Sequence, residues 1–434
     1  MSRIQAVRGT KDILFPDIDL WRIIEDISCE ILELANYKEI RIPIFENSNL
    51  YTTSLGQVTD VVQKEMYSFQ DKSQRYITLR PEGTAGVARA FIEHKLYVQT
   101  LPQRVWYCGP MFRYERPQAG RQRQFHQLGL ECIGSIDPRT DAEVINLALD
   151  ILNHLKISNL TLEINSLGNN EVRNNYKKAL YNYFKDYKSD FSLEFQNRLE
   201  NNPLRLLDSK DKMVQSLLEQ APSILDFLDN ESRKHFHLVC SYLDSLSISY
   251  TINPRLVRGL DYYNDTTFEI KSNLLGSQDT LCGGGRYDNL IQSLGGPPVP
   301  AIGWAMGMER LLLSLPKSNI PNVKSLDCYI ITLGEKAKSY SLMILQRLRN
   351  LKLKVDINFN EGNLPKQIKK ADQLKAITCI ILGEEEIQKQ IVLLKWLSLR
   401  TQENISFSNI SQIVDKINLY KNNNVSKVNK DVLE

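Results

Sequence analysis

The chain has 434 residues, 42% of them hydrophobic, more than one ordinary core requires, so two or three folded domains are expected. Its 54 Lys and Arg nearly balance 51 Asp and Glu, leaving a formal charge of +3, so bulk charge argues for no polyanionic partner and any basic surface must be local. Cys29, Cys108, Cys132, Cys240, Cys282, Cys328 and Cys379 form no CxxC pair and support neither a zinc ribbon nor a disulfide framework, and no uncharged apolar stretch reaches membrane-spanning length.

In chain order, Pro16 and Asp17 open a helical pattern in which Leu20, Ile23, Ile24, Ile27, Ile31 and Leu34 recur near helical spacing up to Asn36. A strand is expected over 40–46 with Pro43 inside it. Proline donates no ladder hydrogen bond, so this strand belongs at an edge, at a bulge or where another chain takes over the contact. Alternating segments at 74–80, 103–115 and 124–134, with a short helix at 85–94, predict hairpin-joined antiparallel strands and not a Rossmann pattern. From 169 to 246 the sequence turns polar and helical in period, as at 176–187 and 210–228, which reads as a helical insertion. Strands resume near Tyr250, at 266–271 and at 301–307, before a helix at 308–315 and a linker at 316–321. Strands at 327–333, 353–359, 376–382 and 390–397 then alternate with helices at 336–351 and 364–374, predicting a small α/β domain with a mainly parallel sheet. The expected division is an α+β domain at 1–168 and 247–320, the insertion at 169–246 between them, the α/β domain at 321–421, and a polar tail at 422–434 that should fray.

Alternation also assigns faces. Gln127, Gly129 and Glu131 share one face of their strand while Leu128, Leu130 and Cys132 share the other, so an apolar back carries a polar front fit for the floor of a site. On the preceding strand Met111, Arg113 and Glu115 share a face, and one hairpin is expected to set Arg113 beside Gln127 and Glu131. Arg116, Arg121 and Arg123 in the connecting loop suit phosphate contacts or a solvated hairpin. In Arg80-Pro81-Glu82-Gly83-Thr84 a strand meets a helix, where a carboxylate and a hydroxyl can receive an ammonium group or Thr84 can cap the helix. Cys282-Gly283-Gly284-Gly285-Arg286-Tyr287 lacks both GxGxxG spacing and a βαβ setting, so its glycines read as close backbone approach. Gly303, Ala305 and Gly307 leave one strand face nearly bare, open to a flat base or to tight sheet packing. Arg310 follows in the first turn of a helix, where a cation opposes the helix dipole and hints at an anionic partner.

These residues carry a resemblance. Pro43 in its helix-strand setting, Phe112-Arg113-Tyr114-Glu115 and Gly307-Met308-Glu309-Arg310 resemble, in order, motifs 1, 2 and 3 of the class II aminoacyl-tRNA synthetases. Within that class, Arg258-Gly259-Leu260-Asp261-Tyr262-Tyr263 and Thr267-Phe268-Glu269 resemble signatures of the histidyl-tRNA synthetase family, as do Gln124-Phe125-His126-Gln127-Leu128-Gly129, Gly284-Gly285-Arg286-Tyr287-Asp288 and residues 80–84. The likeness runs from Arg8 into the C-terminal domain. It implies an α+β class II catalytic domain with an antiparallel sheet, a helical insertion and a C-terminal α/β anticodon-binding domain.

It also implies the chemistry. A member binds ATP with Mg2+ and L-histidine, forms histidyl-adenylate, and passes the histidyl group to tRNA(His). Carried over residue by residue, Arg113, Arg258 and Arg310 are the catalytic arginines, the first two also touching histidine and Arg310 holding the γ-phosphate end. Glu82, Gly83, Thr84 and Gln127 belong to the histidine site, the side chains among them receiving the ammonium group. Glu131 and Tyr263, with Tyr262, belong to imidazole recognition. Glu115 and Arg121 join the ATP site, and Arg116 and Gln118 the tRNA acceptor end. Lys352, Lys354, Lys366, Lys369 and Lys370 are candidates for anticodon-stem phosphates or a solvated face. The resemblance implies a homodimer through motif 1, no metal site built from protein alone and no membrane partner. Its alternative is a histidine-binding regulatory paralogue of an ATP phosphoribosyltransferase. Such paralogues lose the C-terminal domain and the arginines that this chain keeps. A bacterial-type cytoplasm or, given the Asn, Lys and Ile content, a plastid stroma is the expected compartment.

Overall fold

The computed structural model describes residues 3–57, 59–209, 211–273, 279–316, 326–359 and 362–430. It divides into two compact units, Met1–Ile320 and Pro321–Glu434. Residues 317–321 of the expected linker lie outside the described residues.

The first unit contains strands β1 (Lys38–Glu39), β2 (Phe45–Asn47), β3 (Tyr67–Gln70), β4 (Tyr76–Leu79), β5 (Gln103–Phe112), β6 (Gln124–Ile133), β7 (Leu160–Ser166), β8 (Thr251–Ile252), β9 (Asn264–Ser272), β10 (Thr280–Arg286) and β11 (Ala301–Gly307). Eight of them form one sheet in the order β1-β5-β6-β11-β10-β9-β7-β8, antiparallel except at its two edge pairs. Strands β2, β4 and β3 form a separate small antiparallel sheet.

The back of the large sheet is apolar, as alternation predicts: Leu128, Leu130 and Cys132 pack with Trp304, Met306, Phe268 and Ile270 in one core. Each buried Leu or Ile there contributes on the order of 1.5–3 kcal/mol. The helices Asp17–Leu34, Pro138–His154 and Asn230–Ser245 add side chains to this core, among them Ile24, Leu32, Ile151, Val239 and Leu243. Asp137 and Asp229 cap the latter two by accepting from the N–H groups of Arg139 and Ser232. Thus the helix Asn230–Ser245, grouped by its polarity with the insertion, belongs to the sheet's backing. The remaining insertion consists of the helices Asn170–Phe184, Leu193–Asn201 and Lys212–Leu218 with short 3-10 turns. The continuous helix expected at 210–228 is broken ahead of Pro222, and Lys210 lies outside the described residues.

Of the strand expected at 40–46, only Phe45 and Glu46 are strand. Lys38–Glu39 pairs with the large sheet and Phe45–Asn47 with the small one, so Pro43 lies in the crossing between sheets, where no ladder donor is needed. Arg80 fixes that crossing: its Nη1 donates to the carbonyl of Ile42 at 2.8 Å and its Nε to that of Pro110 at 2.7 Å.

The second unit has strands β12 (Cys328–Thr332), β13 (Val355–Ile357), β14 (Thr378–Leu382), β15 (Ile391–Trp396) and β16 (Gln402–Ser406), in the order β13-β12-β14-β15-β16. The expected mainly parallel sheet is mixed: β13, β12 and β14 pair in parallel, whereas β15 and β16 return antiparallel. The connection from β14 to β15 holds only the short helix Glu384–Gln388, too little for a parallel crossover. The closing helix Ser411–Lys430 extends into the tail expected to fray, and residues 431–434 lie outside the described residues.

Candidate active site

Register builds the floor of the site. Across the front of the large sheet, Glu269 of β9 stands opposite Gly283 of β10, then Ala305 of β11, Gly129 of β6 and Tyr107 of β5. One carboxylate, three small residues and one tyrosine thus form a single row. Each missing side chain is replaced by another group. The Arg258 guanidinium lies where a Cβ on Gly283 would fall, and the Tyr107 ring lies where Cβ atoms on Gly129 and Gly83 would fall. In the neighbouring row the Glu131 carboxylate occupies the space that Gly303 leaves open. Of the bare face expected at Gly303, Ala305 and Gly307, the first is therefore filled by tight packing, while Ala305 and Gly307 line an open cavity.

That cavity is bordered by Glu82, Thr84, Arg113, Glu115, Arg121, Gln127, Arg258, Tyr262, Tyr263 and Arg310 among others. Its cationic side gathers four arginines. Arg113 Nε donates to the Pro81 carbonyl at 2.9 Å, and Arg121 pairs with Glu115 at 3.2 Å. Arg310 donates to the Thr280 carbonyl at 2.8 Å, and burial together with the Arg121 charge lowers its pKa. Burial works to lower the pKa of Arg258, but its ion pair with Glu269, together with Tyr263, Cys282 and Tyr262, leaves it raised. Four cations within one cavity repel one another, so the arrangement favours a polyanion.

Buried carboxyl groups stand at and behind the wall of the same cavity. Glu82 accepts from the backbone N–H groups of Thr84 and Ala85 at 2.7 and 2.8 Å, so it, and not Thr84, caps the helix Thr84–Glu93. Burial nevertheless raises its pKa. The freed Thr84 hydroxyl donates to Glu131 Oε1 at 2.7 Å, and Tyr287 donates to Oε2 at 2.5 Å. Glu131 is fully buried, and burial pushes its pKa up to about 8 against those hydrogen bonds. It lies behind Thr84 and does not itself line the cavity.

Among the described residues, three buried polar atoms of cavity-lining side chains have no hydrogen-bond partner: Glu115 Oε2, which is ion-paired with Arg121, Gln127 Oε1, an acceptor, and Arg258 Nε, a donor. An unpaired buried polar group costs about 1–3 kcal/mol, which a ligand carrying both a donor and an anionic oxygen would relieve.

One expectation fails on register. Arg113 is hydrogen-bonded opposite Arg123, four residues along β5 from the partner of Gln127 and eight from that of Glu131. At about 3.3 Å per residue these offsets are about 13 and 26 Å, so the hairpin does not set Arg113 beside Glu131. The loop arginines also diverge: Arg121 lines the cavity, Arg116 is exposed, and Arg123 stacks on the Tyr114 ring at 4.0 Å. Gln118 is exposed, bridging to Arg121 through backbone hydrogen bonds.

Residues 9–311 match the profile of histidyl-tRNA synthetase, and residues 327–417 that of an anticodon binding domain. The chain belongs to the histidyl-tRNA synthetase family. The chloroplastic histidine–tRNA ligase of Porphyra purpurea is 54% identical over 424 residues, covering 97% of each chain. The histidine–tRNA ligase of Gloeothece citriformis is 53% identical over 406 residues, covering 94% of each. The apo crystal structure of the S. aureus histidyl-tRNA synthetase, 38% identical, superposes with a TM-score of 0.79 over 94% of this chain and 98% of that one. A Bacillus halodurans protein described as an ATP phosphoribosyltransferase regulatory subunit/histidyl-tRNA synthetase, 21% identical with a TM-score of 0.63, shares the fold.

Within this synthetase site, sequence reasoning assigned no role to Tyr107 and Tyr287, the hydroxyls that hold Glu131 together with Thr84. Both act from other segments of the chain, and Gly83 and Gly129, which leave room for the Tyr107 ring, are the sequence signal for that tyrosine. Among the described residues no group of three or more His, Cys, Asp or Glu could hold a metal ion, and no helix is long and apolar enough to cross a membrane.

Proposed function

We propose that this chain is a histidine–tRNA ligase, which joins L-histidine to ATP with release of diphosphate and transfers the histidyl group from the adenylate to tRNA(His). The observation that carries this reading is a cavity with four arginines, an unpaired Gln127 acceptor and a buried carboxyl behind Thr84. Polyanion, ammonium group and a polar ring each find a counterpart there.

The first step sets a carboxylate against a polyphosphate, so positioning and charge neutralisation dominate and no nucleophilic side chain is required. We assign Arg113 and Arg258 to the α-phosphate and histidine carboxylate, Arg310 and Arg121 to the outer phosphates, and Glu115 to the ATP site. Magnesium enters on ATP as part of the substrate. Gln127 is the ammonium ligand with an acceptor to spare, because both oxygens of Glu82 already accept backbone N–H groups. Glu82 adds negative potential, and Gly83 makes room for Tyr107.

The imidazole belongs at the end bounded by Thr84, Tyr262 and Tyr263, with Glu131 behind Thr84. A neutral imidazole is donor and acceptor at once, so it can meet Glu131 in either protonation state. Arg116 and Gln118, exposed on the loop after β5, are assigned to the acceptor end of tRNA, and the second unit with its lysines to the anticodon arm. A homodimer is supported by the outer face of the small sheet, where Phe45 and Phe69 are 57% and 49% exposed beside Ile77 and Leu79. Relatives named chloroplastic support a plastid stroma beside a bacterial-type cytoplasm.

The test is ATP–pyrophosphate exchange with each of the twenty amino acids, followed by charging of tRNA. Exchange with histidine alone and charging of tRNA(His) are expected. Histidine binding without exchange would establish the regulatory alternative and overturn the proposal.

A further inference from the structure

Glu269 and Thr280 lie between the two arginines assigned to opposite ends of the triphosphate. Arg258 rests over Gly283, with the Tyr263 ring 5.9 Å from its guanidinium carbon, and pairs with Glu269 Oε1. The other carboxylate oxygen, Oε2, accepts from the Thr280 hydroxyl at 3.2 Å and lies 3.8 Å from Lys271 Nζ. Lys271 is in turn held by Glu163 at 2.9 Å. The Thr280 carbonyl accepts from Arg310 Nη1 at 2.8 Å. One threonine thus contacts Arg310 directly and Arg258 through a single carboxylate.

Local backbone makes this possible. Pairing shifts between Thr280 and Cys282, a bulge that puts Thr280 opposite Lys271 on the front face although simple alternation from Gly283 would turn it to the back.

We propose that Glu269 and Thr280 are positioning residues that set the spacing of Arg258 and Arg310 for adenylate formation. The inference rests on the reading of those arginines as phosphate ligands. Both are long side chains with about 2 kcal/mol of rotamer entropy each, and a displacement of about 1 Å at a reacting centre can cost roughly 100-fold in rate. Glu269 touches no substrate in this account and acts through Arg258.

The experiment uses the full chain and histidine-dependent ATP–pyrophosphate exchange, with single-turnover adenylate formation for slow variants. Glu269→Gln should lower kcat by roughly 100-fold while the KM values for histidine and ATP rise by less than about twofold. Glu269→Asp, which keeps the charge, should recover at least about tenfold of that loss, and Thr280→Val, which removes only the hydroxyl, should cost about tenfold. In an Arg258→Ala background, Glu269→Gln should cost less than about threefold more, because its route of action is gone. The same roughly 100-fold loss in that background, or a loss carried by KM, would overturn the inference. Arg258→Ala alone separates the two failures. If it leaves exchange intact the reading of the site falls, whereas if it abolishes exchange and Glu269→Gln does not lower kcat, only the positioning role falls.

Discussion

The two ends of the cavity solve opposite problems. At the arginine end, positive charges are brought together and held by ion pairs and carbonyls, as with Arg121 on Glu115 and Arg310 on Thr280. At the other end the Glu131 carboxyl group is buried and kept by hydroxyls from Thr84 and Tyr287. The first arrangement suits any triphosphate, since charge is neutralised whatever the third substituent. The second is demanding, because a buried carboxyl rejects a ligand that brings no hydrogen-bonding partner. Generality and specificity therefore reside in different residues, and each can be damaged alone.

Breaking the arginine end should give the largest effect. Arg258→Ala is expected to lower pyrophosphate exchange by roughly 10³- to 10⁵-fold, as for transition-state arginines elsewhere, with the circular dichroism spectrum unchanged. Gly283→Ala is a subtler version: the new methyl group falls on the Arg258 guanidinium, so a loss of roughly 100-fold in kcat is expected while histidine binding persists. Gly303→Ala does the converse, pressing on the Glu131 carboxylate and the Leu130 carbonyl. Histidine KM should rise by about tenfold or more and stability fall by about 1–3 kcal/mol, read from kinetics and denaturant titration.

The smallest effect sharpens the comparison through pH. Glu131 has a folded pKa raised to about 8, above the ordinary carboxylate range. Between those values the native state binds more protons than the unfolded state, so this group's contribution to stability is full at low pH and declines as pH rises toward 8. Wild-type unfolding midpoints should therefore fall more between pH 5.5 and 8 than those of Glu131→Gln, and parallel curves would show that Glu131 does not titrate there.

Much of this site was legible because strand alternation is a local rule. Gln127, Gly129 and Glu131 do face front, and Leu128, Leu130 and Cys132 back. Register is not local. It moved Arg113 away from Glu131, and it brought Tyr107 over Gly129 and Glu269 beside Gly283, none of which can be counted along one strand. The bulge at Thr280 reverses the face that alternation would assign. Sequence left Thr84 open between capping the helix and facing a substrate, because hydroxyl and carboxylate can both bind free N–H groups; Glu82 takes them and leaves the Thr84 hydroxyl to Glu131. In the second unit, element types were readable, but the antiparallel return of β15 depended on a connection too short to cross the sheet.

The central claim is that recognition of histidine and of the triphosphate are separable, and equilibrium titration of Glu131→Gln with each ligand tests it most directly. The account predicts histidine affinity lowered by on the order of 10²-fold with ATP affinity within about twofold of wild type. Equal losses for both ligands, or none for histidine, would contradict it.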